Sequence, residues 1–229
     1  MTHPAPFRKG VADGLPFLIV MLPFGALFGV LGTEAGLALP QVMAFSALVI
    51  AGASQFTAIQ LMEQGAPTLI VIASALAVNL RMAMYSAALV PHLGTAPGWQ
   101  RAIGAYLLVD QTYALSQAAF EARPAWSTGD RMAYFAGTAL PVFPGWVGGT
   151  LAGAVLGARV PATWPLDFVL PLAFLALIGP MLRRPPHMVA AFVSVVAALG
   201  LVWVPWNLGL ILAAMLAMAA GAEVERRMA

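Results

Sequence analysis

The chain has 229 residues, of which 61% are hydrophobic and only 9% charged, against about 25% charged in an ordinary soluble domain. So little polar surface cannot face water, which excludes a soluble enzyme, a nucleic-acid-binding domain and a disordered regulator. The net charge of +2 is too small to imply a polyanionic partner, and the absence of cysteine excludes disulfides, thiolate metal sites and cysteine nucleophiles.

The expected fold is therefore all-α, a polytopic membrane helix bundle forming a single transmembrane transporter domain over residues 1–229. The first ten residues are polar and carry Arg8 and Lys9. The apolar run from Gly14 to Thr33 is longer than the ~7–15 residues of a signal-peptide core, so it reads as a retained first helix. Seven further runs follow: Ala38–Met62, Ala66–Val90, Trp99–Phe120, Arg131–Ala158, Leu166–Leu182, Met188–Val204 and Trp206–Ala222. That gives about eight transmembrane helices, or seven if the last two merge, since only Pro205 separates them.

Eight crossings place Arg8, Lys9, Arg123, Arg131, Arg183, Arg184, Arg226 and Arg227 on one side, and Arg101 and Arg159 on the other. By the positive-inside rule both termini are expected in the cytoplasm. Tryptophans 99, 146, 164, 203 and 206 fall largely near expected span ends, as an aromatic belt does. Gly145, Gly149, Gly153 and Gly157 recur every four residues, which predicts close helix–helix contact, and Pro141 and Pro144 predict a kink in the same span. No internal repeat is evident, although inverted repeats often escape notice in one sequence.

Arg81 and Asp110 are the two full charges expected near mid-membrane, on consecutive spans and with opposite sign. An isolated charge there costs about 2.5–3.5 kcal/mol on insertion scales, so they are expected to pair, either to fix packing or to line a pathway. Tyr106, Asp110, Tyr113 and Gln117 form one stripe on a continuous fourth helix, which faces protein or a wet cavity. Ser74, Arg81 and Tyr85 share a face of the third span, with Asn79 turned away from it. In the second span Gln55 points opposite to Ser46 and Thr57. Either that helix is buried on both sides, or it breaks near Gly52-Ala53-Ser54-Gln55 and frees amide groups that suit a carboxylate.

Intramembrane hydrolysis lacks a base for Ser54, since no histidine falls in a span and no HExxH motif occurs, so neither an enzyme nor a metal site is expected. A channel or a non-transporting assembly subunit remains an alternative to a secondary transporter. No P-loop is present, so energy is expected from an ion gradient or a partner ATPase.

The run Gly52-Ala53-Ser54-Gln55-Phe56, then Asn79-Leu80-Arg81 with Tyr85, then Asp110-Gln111-Thr112-Tyr113-Ala114-Leu115, resembles the AzlC family of bacterial branched-chain amino acid permeases. Asp167-Phe168 fits the same pattern, and Gln111 stands where the family often has an acidic residue. The resemblance implies export of valine, leucine, isoleucine and sometimes methionine across the bacterial inner membrane. It also implies a small AzlD-type membrane subunit as partner, with no cofactor and no nucleic acid. Candidate substrate-binding or translocation residues are then Ser54, Gln55, Asn79, Arg81, Asp110 and Tyr113, with Asp110 the candidate for ion coupling. Arg81 or the freed amides near Ser54 suit a substrate carboxylate, and Asp110 suits its ammonium.

Overall fold

The computed structural model describes residues 4–156, 182, 184–205 and 208–228. Among them all regular structure is helical: α1 (Pro4–Gly14), a 3-10 turn (Leu15–Phe17), α2 (Leu18–Glu34), α3 (Leu39–Leu48), α4 (Gly52–Glu63), α5 (Thr68–Leu93), α6 (Gly98–Tyr106), α7 (Asp110–Ala122), α8 (Thr128–Leu156), α9 (Pro185–Gly200) and α10 (Leu208–Met228). Among the described residues four segments are long and apolar enough to cross a membrane: Ala5–Glu34, Thr68–Leu93, Thr128–Leu156 and Leu208–Met228. The chain is an all-α membrane helix bundle. The span expected at Leu166–Leu182 lies, apart from Leu182 itself, outside the described residues, as do Gly157, Arg159, Asp167-Phe168 and Arg183.

Two compact units divide the chain: Met1–Ile59 with Val78–Arg159, and Gln60–Ala77 with Val160–Ala229. The first is built on a seam between α1–α2 and α8. A Cβ added at Gly10 would strike the Tyr134 backbone, at Gly25 that of Trp146, at Gly29 that of Thr150, and at Gly153 that of Ala26. Residue numbers rise together on both sides, so α1–α2 and α8 run parallel, and missing side chains let their backbones touch. The expected close contact at Gly145, Gly149 and Gly153 is thus present. Helix starts at Pro4 rather than Gly14, because the polar N-terminal stretch joins this seam. Lys9 pairs with Asp13 at 2.8 Å, and the Tyr134 hydroxyl donates to the same carboxylate at 2.7 Å. Trp146 is buried against Phe28 rather than placed in a belt.

The second and fourth expected spans do not cross; each is a hairpin of two half-helices. Phe28 of α2 meets both Phe45 of α3 and Phe56 of α4, and Gly32 lies against Val42 and Ile59. Along α2 the contacts on α3 run backward and those on α4 forward, so α3 descends and α4 returns to the end where it began. The same holds for α6 and α7. Arg81 meets Asp110, Tyr85 stacks on Tyr113 and His92 lies against Phe120, so α5 and α7 run parallel. The chain leaves α5 at Leu93, re-enters as α6, and comes back where Thr95 hydrogen-bonds Thr128 at 2.8 Å.

Adding 58 to the residue numbers of α3 and α4 gives 97–106 and 110–121, the bounds of α6 and α7 to within a residue. The long helices before them, α2 and α5, run in opposite directions, since α5 follows α7, α7 is antiparallel to α8, and α8 is parallel to α2. The parts of the chain that lie in the first unit, α2 through Ile59 of α4 and Val78 of α5 through α7, therefore form an inverted repeat whose hairpins enter from opposite ends. Their tips meet: the Tyr106 hydroxyl donates to the Ala47 carbonyl, and Ile50 shares a small void with Leu107, Val109 and Thr112. Non-helical backbone at this depth is tolerated because it is enclosed by protein, and Ala51, Leu108 and Val109 are buried.

This topology moves Arg101 to the end of the unit that carries Arg8, Lys9, Arg123 and Arg131, rather than the opposite end expected from a crossing helix. In the second unit α9 and α10 form an antiparallel hairpin, with Gly209 against Leu201 and Gly221 against Ala190. Phe192, Val196, Leu199, Leu212 and Leu216 are exposed on it, a surface suited to lipid tails.

Candidate functional site

Where α6 stops at Tyr106, residues 107–109 leave the helix and α7 begins with Asp110. Val109 is extended (φ −134°, ψ 171°), and Thr112 holds the corner. The Thr112 Oγ1 accepts the Val109 N–H at 2.9 Å and donates toward the carbonyls of Val109 and Leu107 at 3.0 and 3.1 Å. Asp110 thus sits in the first turn of a half-helix, where the positive end of the peptide dipoles favours a carboxylate.

Halfway along α5, Arg81 reaches that carboxylate: Nη1 lies 2.9 Å from Asp110 Oδ2, with side chains 29% and 38% exposed. The pair is neither sealed nor freely solvated. Arg81 Nε and Asp110 Oδ1 have no hydrogen-bond partner among the described residues, so each retains capacity for another polar group. One turn further, Tyr85 and Tyr113 stack with centroids 4.2 Å apart, forming a second rung between the helices. Asn79, half-buried two residues before Arg81, also has an unpartnered Oδ1.

The other half-helix start is built alike. Residues 49–51 leave the helix, and Ser54, fully buried, donates to the Ala51 carbonyl at 2.9 Å. Ser54 and Thr112 are 58 apart, as are Ala51 and Val109, so each tip has a hydroxyl bonded three residues back. Gln55, also buried, ties α4 to α3 by donating to the Phe45 carbonyl at 3.2 Å and leaves Oε1 unpartnered. The break lies just before Gly52, whose lack of a side chain admits the Trp146 ring: a Cβ there would be 3.0 Å from it.

The structure therefore gathers Arg81, Asp110, Tyr85 and Tyr113 in one cluster and puts Ser54 and Gln55 at the matching tip. The stripe expected through Tyr106 is corrected, because the chain reverses between Tyr106 and Asp110. Three features escaped the sequence reading: the Thr112 corner, the Ser46–Thr150 hydroxyl pair at 2.8 Å, and Asp13 with its two partners. Thr112, two residues after the mid-span aspartate, was the one available signal. Among the described residues no group of three His, Cys, Asp or Glu could hold a metal ion.

The family profile described as AzlC protein matches residues 16–160. The chain is 27% identical over 216 residues to inner membrane protein YgaZ of Escherichia coli strain K12, covering 89% of this chain and 86% of the relative. An uncharacterized membrane protein of Archaeoglobus fulgidus is 29% identical over 187 residues, covering 80% and 79%. One of Helicobacter pylori is 26% identical over 197 residues, covering 84% of each. No solved structure matches.

Proposed function

Because the chain belongs to the AzlC family, we propose that it is a secondary transporter that exports branched-chain amino acids across the inner membrane. Membership makes it a membrane protein consistent with a permease. The observation that carries the finer reading is the Arg81–Asp110 pair, part-exposed at a half-helix start and with an unpartnered atom on each side chain. Ionisable groups at this depth mark substrate and ion pathways, and discontinuous helices are where such sites form. A zwitterion offers a carboxylate to Arg81 and an ammonium to Asp110, replacing each partner with the substrate's own charge. An aliphatic side chain then packs against the surrounding apolar wall.

Asp110 is also the group to carry a proton if export is ion-coupled. The N- and C-termini face the cytoplasm in this reading, with Arg8 and Lys9 in α1 and Arg226 and Arg227 in the last turn of α10. A small AzlD-type subunit completes the exporter.

The test is efflux from cells lacking their own exporters and fed a leucine- or valine-containing dipeptide. The chain is expressed with and without its genomic neighbour. Faster clearance that vanishes in Asp110→Asn and Arg81→Ala supports the reading. No clearance from either arrangement, with membrane insertion confirmed, rejects it.

A further inference from the structure

The two halves of the inverted repeat are not in the same state. Beside α6 lies a cavity of about 730 Å³, walled by Phe7, Trp99, Ile103, Leu107, Met132 and Phe135 and bordered by Thr95, Gln100 and Thr128. It sits at the end of the unit that holds Arg8, Arg101, Arg123 and Arg131. Its floor is Leu107, and Leu107 also lines the small void between the hairpin tips. Along α8 the lining continues from Met132 and Ala136 in the cavity to Ala139 and Phe143 in the void, one stripe at helical spacing.

At the opposite end the other hairpin is packed shut. Ile103, Gly104 and Leu107 correspond, 58 residues back, to Phe45, Ser46 and Val49. Phe45 packs edge-on against Phe28 at 5.5 Å, and Ser46 is fully buried and bonded to Thr150 at 2.8 Å. A fully buried Val42 closes on Gly32, whose Cβ would meet it at 3.1 Å. Thus α6 meets α8 at Gly104 against Phe135 and at Tyr106 against Phe143, yet leaves the cavity open toward Phe7 of α1 and the first turns of α8, whereas α3 is packed against α2 and α8.

We propose that the cavity beside α6 is the open vestibule through which an aliphatic solute reaches the hairpin tips. Leu107 is its inner gate, and α3 shuts the path from the opposite end, held by the Ser46–Thr150 bond. The inference rests on the transporter reading and deepens it. The apolar walls with three polar groups at the rim suit a solute with an aliphatic body and a charged head. Closing α6 onto α1 and α8 while α3 moves out would exchange the ends, as inverted repeats permit.

The chain has no cysteine, so a single introduced thiol is the only one present. Ile103→Cys and Met132→Cys are to be labelled by a membrane-impermeant methanethiosulfonate from the basic face, and Phe45→Cys and Val42→Cys from the opposite face. The vestibule thiols are expected to react about tenfold faster. Leu107→Ala should speed labelling of Ala139→Cys behind the gate. Oxidising the Ser46→Cys/Thr150→Cys pair should preserve vestibule labelling and stop efflux, with recovery on reduction.

Vestibule thiols that resist the aqueous reagent yet react with a lipid-phase maleimide would make the cavity a lipid groove and overturn the proposal. Efflux that continues through the oxidised pair does so as well, and unchanged labelling behind Leu107→Ala removes its role as gate. The labelling pattern without transport of any branched-chain amino acid upholds the vestibule and rejects the substrate assignment instead.

Discussion

The Tyr85 and Tyr113 rings stack with only 10° between their planes, one turn along from the Arg81–Asp110 ion pair. The two rungs register α5 against α7 and so fix where Arg81 reaches. Tyr113→Phe is expected to keep the stack. Tyr113→Ala should lose about 0.5–1.5 kcal/mol beyond the lost area and lower efflux, read by thermal unfolding in detergent beside the transport assay.

Arg81→Ala leaves the Asp110 carboxylate without its cation in a part-enclosed site. A loss of ~1–3 kcal/mol is expected, with efflux falling further than the amount of folded protein. Reversal by Arg81→Asp with Asp110→Arg should recover folding in part, because a cation in the first turn of α7 opposes the helix dipole by ~0.3–1 kcal/mol. Efflux should stay absent. Full recovery of both would make the pair a packing device.

Thr112→Val removes the hydroxyl that accepts the Val109 N–H at the α6–α7 corner. The expected cost is about 1 kcal/mol, as for loss of a capping side chain, with Thr112→Ser close to wild type. Faster amide exchange at residues 107–109 in the valine variant, measured by mass spectrometry, checks the assignment. Equal exchange in the two variants would rule it out.

Gly153→Ala places a methyl group on the backbone of Ala26, whereas Gly148 faces open space. The first should destabilise by ~1–3 kcal/mol, and Gly148→Ala should be neutral. Equal unfolding temperatures for the two variants would contradict the seam.

Asp13 holds Lys9 and Tyr134 at once. Asp13→Asn and Tyr134→Phe should therefore be non-additive, with a coupling of about 0.5–3 kcal/mol in a double-mutant cycle. Additive losses would show the contact to be energetically silent.

Part of this arrangement was legible in the residues. Gln55 pointing opposite to Ser46 and Thr57 conflicted with a regular half-buried helix, and the chain does break beside it. The Arg81–Asp110 pair followed from two opposite charges in hydrocarbon. The α6–α7 reversal was hidden, because Leu107-Leu108-Val109 contains neither glycine nor proline. Tyr106, Asp110, Tyr113 and Gln117 also keep helical phase across it. Packing of the tip on α8 and the Thr112 hydroxyl override local preference there. The repeat was hidden too: only Ser54 and Thr112 keep its chemistry at the tips.

The seam has a further consequence for synthesis. Gly29 and Gly153 touch across a chain interval that contains both hairpins, so α1–α2 enters the bilayer well before α8 emerges. Until then the half-helices α3 and α6, too short to span, hold open backbone groups that lipid cannot satisfy. Arrival of α8 encloses both tips and zips the glycines in one event. A chain that ends before Thr128 should therefore leave both tips open to lipid, and one that carries Thr128–Leu156 should enclose them.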